Sequence, residues 1–100
     1  MTKHVILWTL KSEYSIDEKQ NIKENAKKAI EALVGKVPGL VSIKLNITPL
    51  ASSNADMMLD ATLESKEALK GYQVHPDHVA AANGFIRPFT ETRLCFDFEE

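Results

Sequence analysis

The chain is 100 residues long, 44% hydrophobic, and carries a formal net charge of −2. That length holds one domain, residues 1–100; the hydrophobic content excludes a disordered chain, and the charge gives no basic footprint for nucleic acid. A chain this short buries only roughly 60–65% of the surface it exposes when unfolded, so a second copy covering an apolar face would help it.

Lys3 to Lys11 (KHVILWTLK) predicts a first strand. Its apolar residues run without alternation, the pattern of a strand buried on both faces. Val5, Leu7 and Thr9 fall on one face, His4, Ile6, Trp8 and Leu10 on the other. The run from Val5 to Leu10 is too short for a signal peptide or a membrane span, so no membrane is expected.

Ser15-Ile16-Asp17-Glu18 reads as a capping box. The helix behind it carries Ile22, Ala26, Ala29, Ile30 and Leu33 as one apolar stripe. Glu24 precedes Lys28 in the favourable order for a pair. Gly35 is the expected stop, and Pro38-Gly39 the turn.

Leu40 to Thr48 alternates, with Val41, Ile43, Leu45 and Ile47 expected inward, and Pro49 ends the strand. A polar loop leads to a third strand, Met57 to Leu63, with Asp60 inside it. Ser65 caps a short helix from Lys66 to Tyr72. His75-Pro76 interrupts the pattern, and Pro76 can start a further helix. Arg87-Pro88 stops that helix, and Thr92 to Phe98 is the last strand. Its two faces carry Thr92, Leu94, Phe96 and Phe98 on one side and Arg93, Cys95 and Asp97 on the other.

The order is β-α-β-β-α-β, the plan of a ferredoxin-like α+β fold with a four-stranded antiparallel sheet. Helices in this plan cover one sheet face. The first strand is apolar on both, so the other face is expected to be covered by a second subunit about a two-fold axis, giving a homodimer. Cys95, the only cysteine, cannot close an internal disulfide, which fits a cytoplasmic location. No cysteine and histidine spacing of the zinc type is present, so no metal and no cofactor are expected.

The chain resembles the stress-responsive A/B barrel (Dabb) family along essentially its whole length. The residues that carry the resemblance are Lys3-His4-Val5, Pro38-Gly39-Leu40, Glu64-Ser65 with Ala68-Leu69, and above all Tyr72-x-x-His75-Pro76-x-His78. The resemblance implies a dimeric α+β barrel, the assembly reached above from the strand pattern. Many members have no assigned activity, and some plant members are linked to stress tolerance. One plant member is a polyketide cyclase performing an intramolecular aldol condensation, at residues matching His4, Tyr72 and His78. The wider dimeric group includes haem-degrading and quinol-type monooxygenases.

Three catalytic candidates follow. His78, expected in the first turn of the third helix, could take a proton from a carbon beside a carbonyl. The helix dipole there disfavours its charged form; a merely structural His78 would instead fix the helix junction. Tyr72 could donate its phenol proton to a developing enolate, or simply be a buried aromatic. His4 could orient the base or bind the carbonyl oxygen if its strand face looks under the helices; otherwise it is a half-exposed strand end.

Other polar residues are read as structural. His75 is expected to cap the following helix, and Asp77 to point elsewhere on it. Asp60 is expected to pair with a lysine or threonine facing the dimer barrel, and Met57-Met58 to fill core or interface. Cys95 is expected to be a small buried apolar residue. Arg93 could hold a carboxylate, or pair with Asp97 or a partner carboxylate. Trp8 on the His4 face, with Lys23 and Lys27 nearby, argues for a small or polar substrate over a long alkyl one. The competing functions are therefore a small-molecule enzyme or binding protein acting on a carbonyl compound, a non-catalytic stress-related dimer, and, less favoured, a haem or quinol monooxygenase relative.

Overall fold

The computed structural model describes residues 1–100. Its elements are β1 (Thr2–Leu10), α1 (Ile16–Glu31), β2 (Leu40–Asn46), β3 (Met57–Leu63), α2 (Lys66–Val74), α3 (Pro76–Phe85), a 3₁₀ turn (Arg87–Phe89) and β4 (Thr90–Glu99). The strands form one antiparallel sheet in the order β2-β3-β1-β4. This is the ferredoxin-like α+β fold, with the two apolar strands β1 and β3 at the centre. No helix is long and apolar enough to cross a membrane.

Local signals account for most boundaries. The capping box at α1 is complete: the Glu18 amide donates to Ser15 Oγ at 3.1 Å, and the Ser15 amide to Glu18 Oε1 at 2.8 Å. Such a cap stabilises a helix by about 1 kcal/mol. The helix ends at Glu31, four residues before Gly35, and Leu33 is buried from the turn that follows. Glu24 accepts from Gln20 at 3.2 Å, and the ion pair of this helix is Lys27–Glu31. Ser65 Oγ caps α2 by accepting from the Ala68 amide at 3.1 Å.

Gly39 has φ +80°, and a Cβ there would sit 2.6 Å from Ala68 Cβ. The Glu64 amide donates to the Gly39 carbonyl at 2.9 Å. Two of the sequence motifs, Pro38-Gly39 and Glu64-Ser65-Ala68, are therefore one contact seen from two ends.

The helices cover the face that carries His4, Ile6 and Trp8. Ile30, Leu45, Leu59, Leu63 and Tyr72 pack there with almost no exposure. Val41 is a correction. Expected inward, it is 45% exposed, because the register against β3 shifts between Leu40 and Ser42 and Leu40 takes the inward place. β2 is also an edge strand. Its backbone is closed off at Leu45 by α1: the Leu45 amide donates to Glu31 Oε2 at 2.9 Å, and Lys27 Nζ donates to the Leu45 carbonyl at 2.9 Å.

The other face is bare of helices. Val5 lies opposite Phe96 and Leu7 opposite Leu94. Leu94 and Phe96 are 69% and 68% exposed, and the Phe96 and Phe98 rings are 5.7 Å apart. The half of this face toward β2 is polar, with Lys3 Nζ 2.7 Å from Asp60 and donating to Thr62 Oγ1 at 2.8 Å. Asp60 thus pairs as expected, within one chain.

Candidate functional site

A cavity of about 290 Å³ lies between the sheet and the α2–α3 corner. His4, Tyr72 and His78 all line it, together with Trp8, Arg87 and Arg93. The three candidate residues come from three elements, so the fold has to bring them together.

β1 supplies His4. It pairs with Asp97 of β4 in register and is buried. Burial removes the reading of His4 as a half-exposed strand end. Its Nδ1 lies 2.5 Å from Asp97 Oδ1. A carboxylate only accepts, so Nδ1 carries the hydrogen and Nε2 is left for a ligand.

α2 supplies Tyr72, one turn before the break at His75. The break is built as expected. His75 is at once the C-cap of α2 and the N-cap of α3, accepting from the Asp77 amide through Nδ1 at 3.1 Å. Pro76 occupies the first position of α3, where a missing N–H costs nothing. The Tyr72 hydroxyl is buried and has no hydrogen-bond partner. Burial pushes its pKa well up, so it is a phenol at every ordinary pH and can only donate or accept as O–H.

α3 supplies His78, half-buried in its first turn. Its Nδ1 donates to the Gln73 carbonyl at 3.3 Å. That bond places the hydrogen on Nδ1 and the lone pair on Nε2. Burial lowers its pKa; the Gln73 bond works the other way, and the charges of Arg87, His4 and Arg93 lower it further. His78 is held neutral, in the form a general base needs.

The rings are stacked in sequence. Tyr72 lies 4.2 Å from His78 at a 41° tilt, and 5.9 Å from His4 edge-on at 67°. A neutral imidazole with a free Nε2, an unpartnered phenol and a carboxylate-anchored imidazole can together remove a proton beside a carbonyl and stabilise the resulting oxygen charge.

Trp8 is buried and lines the cavity, as the alternation of β1 predicts. Arg93 lies at the same cavity and makes no salt bridge with Asp97, whose carboxylate is taken by His4. Nothing in the sequence marks Arg87 as a cavity residue: it belongs to the Arg87-Pro88 helix stop and carries no motif. The His4–Asp97 pair was not foreseen either, since it depends on the β1–β4 register.

Cys95 is a second correction. It is exposed, because β4 is an edge strand with no helix above this side. Its thiol donates to Asp97 at 3.3 Å and lies 3.8 Å from His4 Nδ1. Partial desolvation and the Asp97 carboxylate push the thiol pKa up, which makes it a poor nucleophile. His4, Cys95 and Asp97 bring one ligand atom each within 4.8 Å of one another. Of the residues present, these are the ones that could hold a metal ion, although their mutual hydrogen bonds already account for the arrangement.

Comparison with known proteins gives a consistent picture. The family model described as the Stress Responsive A/B Barrel Domain (Dabb) matches residues 2–100. No curated protein matches the chain. Among solved structures, a dimeric protein of unknown function with a ferredoxin-like fold from Bacteroides fragilis superposes with a TM-score of 0.92 at 28% identity, covering 99% of this chain and 95% of that one. A dimeric ferredoxin-like protein of unknown function from Thermobifida fusca gives 0.77 at 24% identity, covering 99% and 90%. The hydroxynitrile lyase from Passiflora edulis gives 0.70 at 15% identity, covering 97% and 90%, a likeness of fold alone.

Proposed function

The chain belongs to the stress responsive A/B barrel domain family, and on that premise we propose that it is a homodimer acting on a small carbonyl compound. The observation that carries this reading is Tyr72: it lines a cavity that His4 and His78 also line, and its buried hydroxyl has no partner. Leaving such a group unsatisfied costs about 1–3 kcal/mol, a cost that a ligand oxygen would remove.

In this reading His78 Nε2 takes the proton from the carbon beside the carbonyl. The C–H electron pair becomes the enolate double bond, and the carbonyl oxygen gathers charge while accepting from the Tyr72 hydroxyl. His4, anchored by Asp97, positions the Tyr72 ring and offers its second nitrogen to the same space. The dimer forms through the helix-free face, with Val5, Leu7, Leu94 and Phe96 at its centre; the two dimeric structures of the same fold support it.

The test is deuterium exchange. A panel of small ketones and oxo-acids is incubated with the protein in D₂O, and loss of the signal from hydrogens beside the carbonyl is followed by NMR. The expected result is exchange above buffer that His78→Ala abolishes while the circular dichroism stays unchanged. Absence of exchange across the panel would discard proton abstraction and favour a non-catalytic dimer.

A further inference from the structure

The chain has twelve basic side chains, of which only Arg87 and Arg93 are arginine. Both line the cavity that holds His4, Tyr72 and His78. They reach it from different elements, the 3₁₀ turn after α3 and strand β4, so no single local pattern put them together. Neither has a carboxylate within ion-pair distance: the salt bridges of the chain are Lys3–Asp60, His4–Asp97 and Lys27–Glu31. Arg87 Nη1 donates to Asn83 Oδ1 at 2.6 Å, a neutral partner that orients the guanidinium without cancelling its charge.

The cavity wall contains no aspartate or glutamate. Two guanidiniums without a carboxylate partner therefore line one small space in a chain whose net charge is −2. Elsewhere on the surface the positive charges are lysines. Arginine is the side chain whose planar fork matches a carboxylate. Tyr72, whose buried hydroxyl has no hydrogen-bond partner, lines the same cavity.

We propose that the ligand is a short oxo-acid, its carboxylate held by Arg87 and Arg93 at the mouth and its oxo group turned inward to Tyr72 and His78. The inward half rests on the carbonyl chemistry proposed above; the carboxylate half stands on the arginines. The volume of about 290 Å³ limits the chain to a few carbons beyond the two polar ends, since cavities for drug-sized ligands run from about 300 to 1,000 Å³. Carboxylate binding also lowers the local positive charge that disfavours a proton on His78, so substrate capture and proton acceptance favour each other.

Trp8 supplies the readout. It is the only tryptophan, it is buried, and it lines this cavity. The intact protein is titrated with 2-oxohexanoate, its methyl ester and inorganic phosphate, following Trp8 fluorescence. The acid is expected to saturate the signal and the ester to bind about tenfold more weakly or worse. Arg87→Gln and Arg93→Gln should each weaken the acid by about tenfold and leave the ester unchanged, and Arg93→Lys should recover only part of the loss. Both arginines are exposed, so these variants should fold, which circular dichroism checks.

Equal binding of acid and ester, indifference to both arginine variants, tighter binding of phosphate than of the acid, or no response to any of the three would each overturn the proposal. Running deuterium exchange on the same acid separates the two readings. Exchange that needs His78 but neither arginine overturns the oxo-acid assignment and leaves proton abstraction standing. Arginine-dependent binding without exchange does the reverse.

Discussion

The rings of Tyr72 and His78 lie 4.2 Å apart although a helix break at His75-Pro76 separates them along the chain. The break is what makes the contact. α2 ends as α3 begins, with His75 serving both, and the corner folds the start of α3 back over the last full turn of α2.

Removing the hydroxyl should separate stability from function at Tyr72. In Tyr72→Phe the ring contacts remain and an unsatisfied buried oxygen is lost. Thermal or urea unfolding should show stability unchanged or raised, by up to about 1 kcal/mol. Exchange of substrate hydrogens should fall by about a hundredfold, the usual scale for a donor to a developing oxyanion.

His78 should also set a pH dependence. Its folded pKa is depressed below the ordinary 6.5, first by burial. Above 6.5 both folded and unfolded states hold it neutral and it contributes nothing. As pH falls below 6.5 the unfolded chain takes the proton first, so the folded state loses stability until the folded pKa is passed. His78→Gln should therefore gain on the parent chain between pH 7.5 and pH 5 in urea melts. An NMR titration of the His78 ring protons should place its midpoint below 6.5.

Gly39 should tolerate no side chain. Gly39→Ala combines a positive φ with a Cβ 2.6 Å from Ala68 Cβ, a rigid neighbour on α2. The expected loss is about 2–4 kcal/mol in urea denaturation. Gly35 shares the positive φ, at 86°, but a Cβ there meets nothing within 4 Å, so Gly35→Ala should cost only about 1 kcal/mol.

Glu31 should lend stability that disappears in acid. Burial works to raise its pKa, but the Lys27 ammonium and the Leu45 amide outweigh that and lower it below the ordinary 4.5. The stabilisation is therefore full above 4.5 and fades as pH falls through the lower folded value. Glu31→Gln should cost about 0.5–1 kcal/mol at pH 7, discounted for partial exposure, and nothing at pH 2. Unfolding curves at both pH values would decide it.

The helix-free face gives the last prediction. Phe96→Asp places a charge at an exposed position whose neighbours are Val5, Phe98 and Leu94. Light scattering at micromolar concentration should show a dimer for the parent chain and a monomer for the variant, with far-ultraviolet dichroism preserved. A parent chain that is already monomeric would remove the dimer from the proposal.

Much of this architecture was legible in the sequence because it is written in local periodicity. β1, α1, β2 and both helix caps follow from a continuous apolar run, one apolar stripe, one alternating run and two serines. Alternation points Val41 inward, and a bulge that turns it outward leaves no marker in composition. The exposure of Cys95 follows from edge position, which depends on strand order and is contained in no window of residues. In the site, Tyr72 and His78 were legible through the motif around Pro76. The anchoring of His4 by Asp97, and the meeting of Arg87 with Arg93, depend on register between β1 and β4 and on how the chain leaves α3. Those are tertiary facts.

Strand β4 carries two unrelated messages on alternate residues. Of its odd positions, Arg93 lines the cavity and Asp97 holds His4 there; its even ones, Leu94, Phe96 and Phe98, lie on the face open to a second copy. A slip of one residue against β1 would exchange the two sets completely. The proposed chemistry and the proposed assembly would fail in a single event, whereas substitutions at one parity leave the other untouched. The cavity-side residues and the open-face residues can thus drift apart across descendants of this chain while the strand itself stays where it is.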